Sequence, residues 1–321
     1  MVNIEGQEAG QGVAIRDVAL RAMVLLMMAF AAAAAQAGVV AEDSFNSYAT
    51  GELGGLNGGS GHWDAAWQTS SVDREQVVDP TPDLSFIVTG VGTVDGGSRA
   101  VEFNGNSGQN NPARRRWWNG ATEADNHTGD SVYVRLLFRP ESGWDSNDFI
   151  LFWMSTAEGG DADTHNDEPG FGMFPLSGNL NEVFFVQFSG STGDRVYLDN
   201  QSLPSSDIML VARFSKSVSG DTEIFDTVSL WLNPDSTDDA DSYDIIVSRY
   251  STGISTTGLD WLGVRTGGNT ETSDQYVFDE LVIGTEWSDI MPQSTQDGAV
   301  PEPAGLGLLG LALLGLRKRR R

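Results

Sequence analysis

Short runs of alternating polar and apolar residues cover the chain from residue 44 to residue 290, and no run of useful length shows helical periodicity. Residues 132–139 alternate with a period of two, interrupted at Leu137, which is typical of a strand with one buried face. Residues 149–154 are almost wholly apolar, as expected of a strand that is buried on both faces. The predicted strands are residues 86–91, 99–103, 132–139, 149–154, 183–188, 208–214, 228–232, 243–247, 262–265 and 276–283.

Gly, Asn, Asp and Ser residues separate these runs and indicate turns. So many short strands with turns between them predict an all-β fold, an antiparallel two-sheet jelly-roll sandwich. The first predicted pair joins residues 86–91 to residues 99–103 around a turn at Gly96 and Gly97. We expect the sandwich to occupy residues 38–291 as one domain, with a polar linker at residues 292–299.

Acidic residues dominate the chain, with 45 Asp and Glu against 19 Lys and Arg. The imbalance is sharper without the two terminal segments, since residues 38–300 hold 41 acidic and 12 basic side chains. So negative a body repels nucleic acid, which is therefore excluded as a partner. Cysteine is absent, so the body depends on its core and its ladder hydrogen bonds rather than on disulfides.

The N-terminal segment has the three parts of a secretory signal peptide. Two arginines precede an uncharged run of Met, Leu, Val, Phe and Ala at residues 22–35. Ala35 and Ala37 then form a small-x-small site, and cleavage is expected before Gly38. We therefore expect residues 1–37 to form a signal helix that is removed on export.

The C-terminal segment combines a short motif, an apolar run and a basic cluster. Pro301, Glu302 and Pro303 precede 13 apolar residues, and five basic residues at 317–321 end the chain. The apolar run predicts a short hydrophobic helix, but a stable membrane span needs about 20 residues. The basic cluster would be held on the cytoplasmic side of a membrane.

This order of elements at residues 300–321 resembles the PEP-CTERM sorting signal. The resemblance implies that an exosortase recognises Pro301, Glu302 and Pro303, removes the tail and releases the protein to the envelope or the exopolysaccharide matrix. Contact with a membrane would then occur only through the tail before processing. A plain tail anchor is the alternative.

Both ends of the predicted sandwich carry short motifs. The opening motif is Asp43-Ser-Phe-Asn-Ser-Tyr48, and the closing motif is Phe278-Asp-Glu-Leu-Val-Ile-Gly284. These resemble the first and last strands of the concanavalin A-like (laminin-G-like) domains found in PEP-CTERM proteins. The resemblance implies a jelly roll whose first and last strands pair, with Phe45 and Phe278 in the core.

Two loops concentrate carboxylates and predict calcium as a ligand. Ca²⁺ takes six to eight oxygen ligands, which the Asp and Glu residues of a flexible loop can supply. Neither loop is an EF-hand, and solvated acidic loops on an acidic protein are the alternative. The candidate ligands are Asp161, Asp163, Asp167 and Glu168 in the first loop, and Asp235, Asp238, Asp239 and Asp241 in the second.

Aromatic and basic residues predict carbohydrate binding. Exposed tryptophans offer flat surfaces to sugar rings, and arginines can hold an anionic polysaccharide. The alternative is that one tryptophan enters the core while the arginines offset nearby acids. The candidate residues are Arg115, Arg116, Trp117 and Trp118 in one cluster, and Trp144 in a loop rich in Gly, Asp and Asn.

No catalytic site is predicted. A retaining glycoside hydrolase needs two carboxylates about 5 Å apart, and the nearest pattern, Asp221-Thr-Glu223-Ile-Phe-Asp226, has the right spacing but exchanged residue types. The three histidines lie far apart and show no metal or triad spacing. We therefore predict a non-catalytic, exported surface or extracellular-matrix protein. A carbohydrate-active enzyme and a purely structural surface protein are the alternatives.

Overall fold

A computed structural model describes residues 39–70, 73–108, 110–117, 130–155, 169–176, 178–187, 195–216, 225–248 and 259–292. The signal peptide with its cleavage site, Trp118, the acidic loop at residues 161–168 and the sorting tail lie outside the described residues. The structural predictions made for those segments stay predictions, as do the domain boundaries.

Nineteen strands and one short helix follow one another along the described residues. They are β1 Ala41–Asp43, β2 Gly51–Glu52, β3 Ser60–Gly61, β4 Gln68–Thr69, β5 Glu75–Val78, β6 Ser85–Val88, β7 Gly92–Asp95, β8 Ala100–Asn104, β9 Asn111–Arg116, β10 Ser131–Ser142, β11 Ile150–Ser155, β12 Gly170–Met173, β13 Phe184–Gln187, β14 Arg195–Tyr197, β15 Ile208–Lys216, β16 Phe225–Leu232, β17 Ile245–Ser248, β18 Trp261–Thr266, β19 Gln275–Gly284 and α1 Trp287–Ile290.

Ten strands form one sheet, which we call the back sheet. Its order is β17–β16–β15–β10–β19–β8–β5–β2, and β1 pairs with both β19 and β3. The register of β1 on β19 sets Ala41 opposite Ile283. The first and last strands of the body therefore pair, as the family resemblance implies, and Phe45 packs edge-on against Phe278 with 5.5 Å between ring centroids.

Seven strands form the second sheet, the front sheet, in the order β14–β13–β12–β11–β18–β9–β4. Strands β6 and β7 make a separate two-stranded hairpin. All pairings between these strands are antiparallel. The predicted all-β antiparallel sandwich is confirmed.

The back sheet is buried on both faces, which explains the interruption in the pattern of β10. Val134 and Leu136 belong to the core between the sheets, whereas Leu137 belongs to a second cluster on the outer face of the back sheet. Val94 of the β6–β7 hairpin and Ile290 of α1 join that second cluster and cover it. Leu137 is apolar because its side of the strand is covered as well.

The first predicted strand pair is wrong. Strand β6 pairs with β7, while β8 pairs with β5 and β19. The hairpin closes at Gly90, which has a φ of +79°, and the Val91 amide donates to the Val88 carbonyl oxygen over 3.0 Å. A glycine tolerates this left-handed conformation, so the chain turns back before it reaches Gly96 and Gly97.

Candidate functional site

Arg115 and Arg116 of the predicted cluster lie on strand β9, and Trp117 follows this strand directly. Arg115 and Trp117 are fully buried, and Trp117 belongs to the core between the sheets. Successive residues of a strand point to opposite faces, so Arg114 and Arg116 lie on the outer side. The prediction that Arg115 and Trp117 form a surface platform for sugars is therefore wrong, because their side of the strand faces the core.

The Arg115 guanidinium is held by acceptors that include residues of the opposite sheet. Its Nη1 donates to Asp43 Oδ2 over 2.6 Å, and its Nη2 donates to the Gly58 carbonyl oxygen over 2.8 Å. Burial raises the pKa of Asp43, whereas hydrogen bonds from Tyr48 and Trp67 and the charge of Arg115 lower it. Arg115 thus offsets a buried acid, which was the alternative interpretation of the cluster.

The outer surface of the front sheet, which we call the front face, has an aromatic floor. Trp153 and Trp261 lie in this floor and are each 3% exposed, so neither offers an open ring to a ligand. They lie on the adjacent strands β11 and β18 and pack in one apolar cluster. The floor consists of Phe149, Leu151, Trp153, Phe185 and Trp261, with Phe174 and Tyr197 packed against it.

Arginines lie over this aromatic floor. The Arg114 guanidinium carbon is 5.6 Å from the Trp261 ring centroid, and that of Arg265 is 5.2 Å from the Phe149 ring centroid. Arg195 lies 4.9 Å from the Phe185 ring centroid. Contact with an aromatic ring favours a cation and fixes the plane of its guanidinium group. The half-buried Arg114 and Arg195 are therefore held in place with part of their surface open to solvent.

The charge of the front-sheet strands is opposite in sign to the net charge of the chain. Its seven strands contain no Asp or Glu, although the chain has 45 of them, and they contain five arginines. Arg114 donates to Gln68 Oε1 over 2.9 Å and Arg195 donates to Gln187 Oε1 over 3.1 Å. Neither arginine makes an ion pair with a carboxylate of the described residues.

Arg116 is the exception on this face, because it lies beside two acids. Its Nη1 is 3.3 Å from Asp64 Oδ2, and its Nε is 3.3 Å from Asp260 Oδ2. Opposite charges at this distance compensate each other. Arg116 is therefore a weaker partner for an external anion than Arg114 or Arg195.

Three buried hydrogen-bond donors on the front face have no acceptor among the described residues. They are Trp153 Nε1, Trp261 Nε1 and Gln187 Nε2. Buried polar groups are normally satisfied by protein or by ordered water. These three atoms are too deeply buried to reach an external ligand, so the accessible donors of the front face are those of the half-buried arginines Arg114 and Arg195.

The second acidic loop uses its carboxylates for its own turns. Asp238 Oδ2 accepts from the Asp235 amide over 2.8 Å, and Asp239 Oδ1 accepts from the Asp241 amide over 2.9 Å. Asp235 Oδ1 accepts from Thr237, which lowers the pKa of Asp235. In the described part of the chain, no three His, Cys, Asp or Glu side chains converge as a metal site. The calcium prediction for this loop gains no support.

Trp144 lies in the loop between β10 and β11 and is partly buried. Its ring packs edge-on against Tyr276, with 5.4 Å between ring centroids. It also packs against the core between the sheets. Trp144 therefore does not belong to the front-face cluster, and its predicted role in carbohydrate binding stays a prediction.

Of the carboxylates weighed as a hydrolase site, only Asp226 lies among the described residues, and it is not on the front sheet. Asp226 is buried near the start of β16 in the back sheet and accepts from Thr227 Oγ1 over 3.0 Å. Asp221 and Glu223 lie outside the described residues, as do His127 and His165, whereas His62 is exposed.

The sequence patterns did not indicate a site at the front-face residues Arg114, Arg195, Arg265 and Gln187. The sequence does place Arg114 and Arg116, and likewise Trp261 and Arg265, an even number of residues apart, so that each pair would share one face of a strand. Only the strand order shows that they share one face, because β9 and β18 are adjacent while β14 lies at the far edge. The absence of acids across distant segments was the signal that could have indicated a common surface.

Solved structures of similar fold resemble this chain at low identity. Alginate lyase Aly36B, solved with an alginate trisaccharide, is 11% identical, with a TM-score of 0.42 over 77% of this chain and 98% of its own. The VIP36 exoplasmic/lumenal domain, bound to Ca²⁺ and Man2, is 10% identical, with a TM-score of 0.42 over 75% of this chain and 89% of its own. The carbohydrate esterase vb_24B_21 of the Shiga toxin-encoding bacteriophage phi24B is 14% identical, with a TM-score of 0.41 over 68% and 88%. Such distant likenesses carry no argument about activity.

No curated protein matches the chain. Within the described residues, no helix is long and apolar enough to cross a membrane. A family model of the PEP-CTERM protein-sorting motif matches residues 299–321, where the sequence predicts the sorting tail. Proteins with this motif are exported and recognised by an exosortase. The chain is thus a β-sandwich protein that carries a PEP-CTERM protein-sorting motif at its C-terminal end.

Proposed function

We propose that this protein is a non-catalytic component of the cell surface or extracellular matrix, and that its front face binds an anionic polysaccharide. One observation carries the proposal: the seven front-sheet strands hold no acid, and four of their five arginines lie on the outer side, in a chain of net charge −26. An acidic protein repels polyanions in general. A single acid-free sheet gives such a ligand one place to bind.

The ligand-facing groups are the guanidiniums and not the tryptophan rings. Trp153 and Trp261 are too deeply buried to stack on sugars. Arg114 and Arg195 present planar donor groups that match a carboxylate or a sulfate. Gln187 helps to fix Arg195, because its Oε1 accepts from Arg195 Nε over 3.1 Å. The aromatic layer supports the arginines from below and reduces the entropy that they lose on binding.

The absence of acids from the same strands supports a non-catalytic role. Glycoside hydrolysis commonly needs an acid and a second carboxylate on either side of the scissile bond. Such residues would have to come from loops in place of the front-sheet strands. Calcium remains part of the proposal through Asp161, Asp163, Asp167 and Glu168, so binding should be measured both with calcium and with chelator.

The test is retardation of the purified protein in gels that contain a polyuronate, a sulfated polysaccharide or neutral dextran. We expect retardation by a polyanion and none by dextran. Arg114→Gln and Arg195→Gln should each weaken the affinity about tenfold or more, since each removes a charge-assisted hydrogen bond. Arg195→Lys should lose less affinity than Arg195→Gln, because lysine keeps the charge although it lacks the planar guanidinium group.

Arg213→Gln is the matched control. Arg213 also lies over a tryptophan, 5.6 Å from the Trp231 ring centroid, but on the back sheet. Its loss should leave retardation unchanged. Equal weakening by the front-sheet and back-sheet variants would reject a specific front face. Shortened glycan chains after incubation with wild-type protein would reject the non-catalytic role.

A further inference from the structure

Two buried carboxyl groups meet in the loops that precede β11 and β19. Asp148 lies in the loop before β11 and is 1% exposed, and Asp274 lies in the loop before β19 and is 2% exposed. The two loops are tied together, because the Phe149 amide donates to Thr270 Oγ1 over 3.1 Å. The side chains of Asp148 and Asp274 lie within hydrogen-bonding reach of each other.

The two aspartates are anchored in the same way. Asp148 Oδ2 accepts from the amide of Asp145, and Asp274 Oδ2 accepts from the amide of Glu271. Each carboxyl group therefore has one oxygen fixed by a backbone amide three residues earlier. Asp148 Oδ1 has no hydrogen-bond partner among the described residues. This oxygen is therefore buried, held in position and available as an acceptor or a metal ligand.

No basic side chain compensates the pair. Neither Asp148 nor Asp274 forms an ion pair with an Arg or Lys of the described residues, and the charged neighbours that act on Asp148 are Asp145 and Asp274. Two such carboxylates are costly in a protein interior unless a proton or a cation lies between them.

Tyr276 places a third buried oxygen beside the pair. Its side chain is fully buried, and the charges of Asp148 and Asp274 act on it. The Tyr276 hydroxyl faces Thr270 but makes no hydrogen bond of ordinary geometry to a described residue. A buried hydroxyl without a partner needs an explanation, and a ligand between it and the carboxylates provides one.

We propose that Asp148 and Asp274 bind one Ca²⁺ ion, with the Tyr276 hydroxyl facing it. Oxygen-only ligands on loops suit Ca²⁺, which takes six to eight of them, so backbone or water oxygens complete the shell. The ion ties the loop of Trp144 to the loop before the central strand of the back sheet. This site is distinct from both acidic loops indicated by the sequence, and it does not depend on polysaccharide binding.

The test compares thermal unfolding of the purified wild-type protein and Asp148→Asn at pH 8, in chelator and in millimolar CaCl₂. Calcium at about 100 times its Kd should raise the wild-type Tm by about 5–10 °C. Asp148→Asn should be at least as stable as the wild type in chelator, because it removes like-charge repulsion. In calcium the order of the Tm values should reverse, and the Tm of Asp148→Asn should lie below that of the wild type.

Asp238→Asn is the matched control, since Asp235 and Asp238 form the same type of turn with the same amide-to-carboxylate hydrogen bond. It should keep the full calcium response. A wild-type Tm that does not respond to calcium would overturn the proposal. The proposal would also be overturned if Asp148→Asn responded as the wild type does, or exceeded its Tm in both conditions, since a shared proton would then suffice.

Discussion

Arg115 is a fully buried cation whose guanidinium donates to five acceptors: Asp43, Tyr48, Asn57, Gly58 and Ala65. It also lies 4.3 Å from the ring centroid of Trp63. A buried ion pair adds little net stability, but loss of one partner leaves an uncompensated charge in the interior. Loss of Arg115 or of Asp43 alone should therefore destabilise the protein more than the ion pair as a whole stabilises it.

We expect Arg115→Met and Asp43→Asn each to lower the free energy of unfolding by about 3–5 kcal/mol. Urea unfolding measures both. Arg114→Met, one residue earlier on the outer side of β9, should cost much less while it weakens polysaccharide binding. Similar losses at positions 114 and 115 would contradict the inward and outward assignment of the two arginines.

Glu75 is the residue through which stability should depend most simply on pH. It is fully buried, and burial chiefly raises its pKa to about 8. The folded state therefore keeps a proton that the unfolded state loses near the ordinary pKa of 4.5. Its stabilising contribution is complete below that value and is lost as pH rises toward 8.

The free energy of unfolding of the wild type should therefore fall steadily from pH 5 to pH 8 relative to that of Glu75→Gln, which has no carboxyl group to ionise at this position. Urea unfolding at three pH values in this range measures it, with Gly92→Ala, which changes no titratable group, as the control. A difference that stays constant with pH would show that Glu75 does not hold its proton in the folded state.

At the scale of elements, the strand pattern was predictable where one face is apolar and the other is not. Residues 132–139 are an example, and they lie within β10. Strand β9 was missed because an arginine occupies a core position, a departure that only the buried Asp43 explains. The pairing of β8 could not be predicted either, since its partners β5 and β19 are set by tertiary packing and not by the nearest turn.

Strand β18 has a glycine, Gly263, on its outer side because the ring of Trp153 occupies the space of a side chain there. A Cβ at this position would overlap the ring of Trp153, which lies across the strand. Gly263→Ala should therefore lower the free energy of unfolding by about 1–3 kcal/mol, the usual cost of overpacking. Gly92→Ala is the control, because nothing lies within 4 Å of its Cβ position. Equal effects of the two variants on urea unfolding would contradict the close packing of Trp153 on β18.

At the scale of the whole molecule, charge is divided between surfaces rather than mixed. Acidic side chains occur in the loops and on strands of the back sheet, while the front-sheet strands lack them. The candidate face could not be predicted from net charge, because an average over the chain hides a local reversal of sign. It becomes visible only when seven separate segments are placed side by side.

The position of β19 also determines when the body can finish folding. This strand lies between β10 and β8 and pairs with β1, yet it is nearly the last described segment of the chain. During export from the N-terminus, the earlier strands wait with unpaired edges until it arrives, and unpaired edges favour aggregation. Completion of the sheet is therefore a late, long-range step, and it coincides with the arrival of the tail that the sorting machinery recognises.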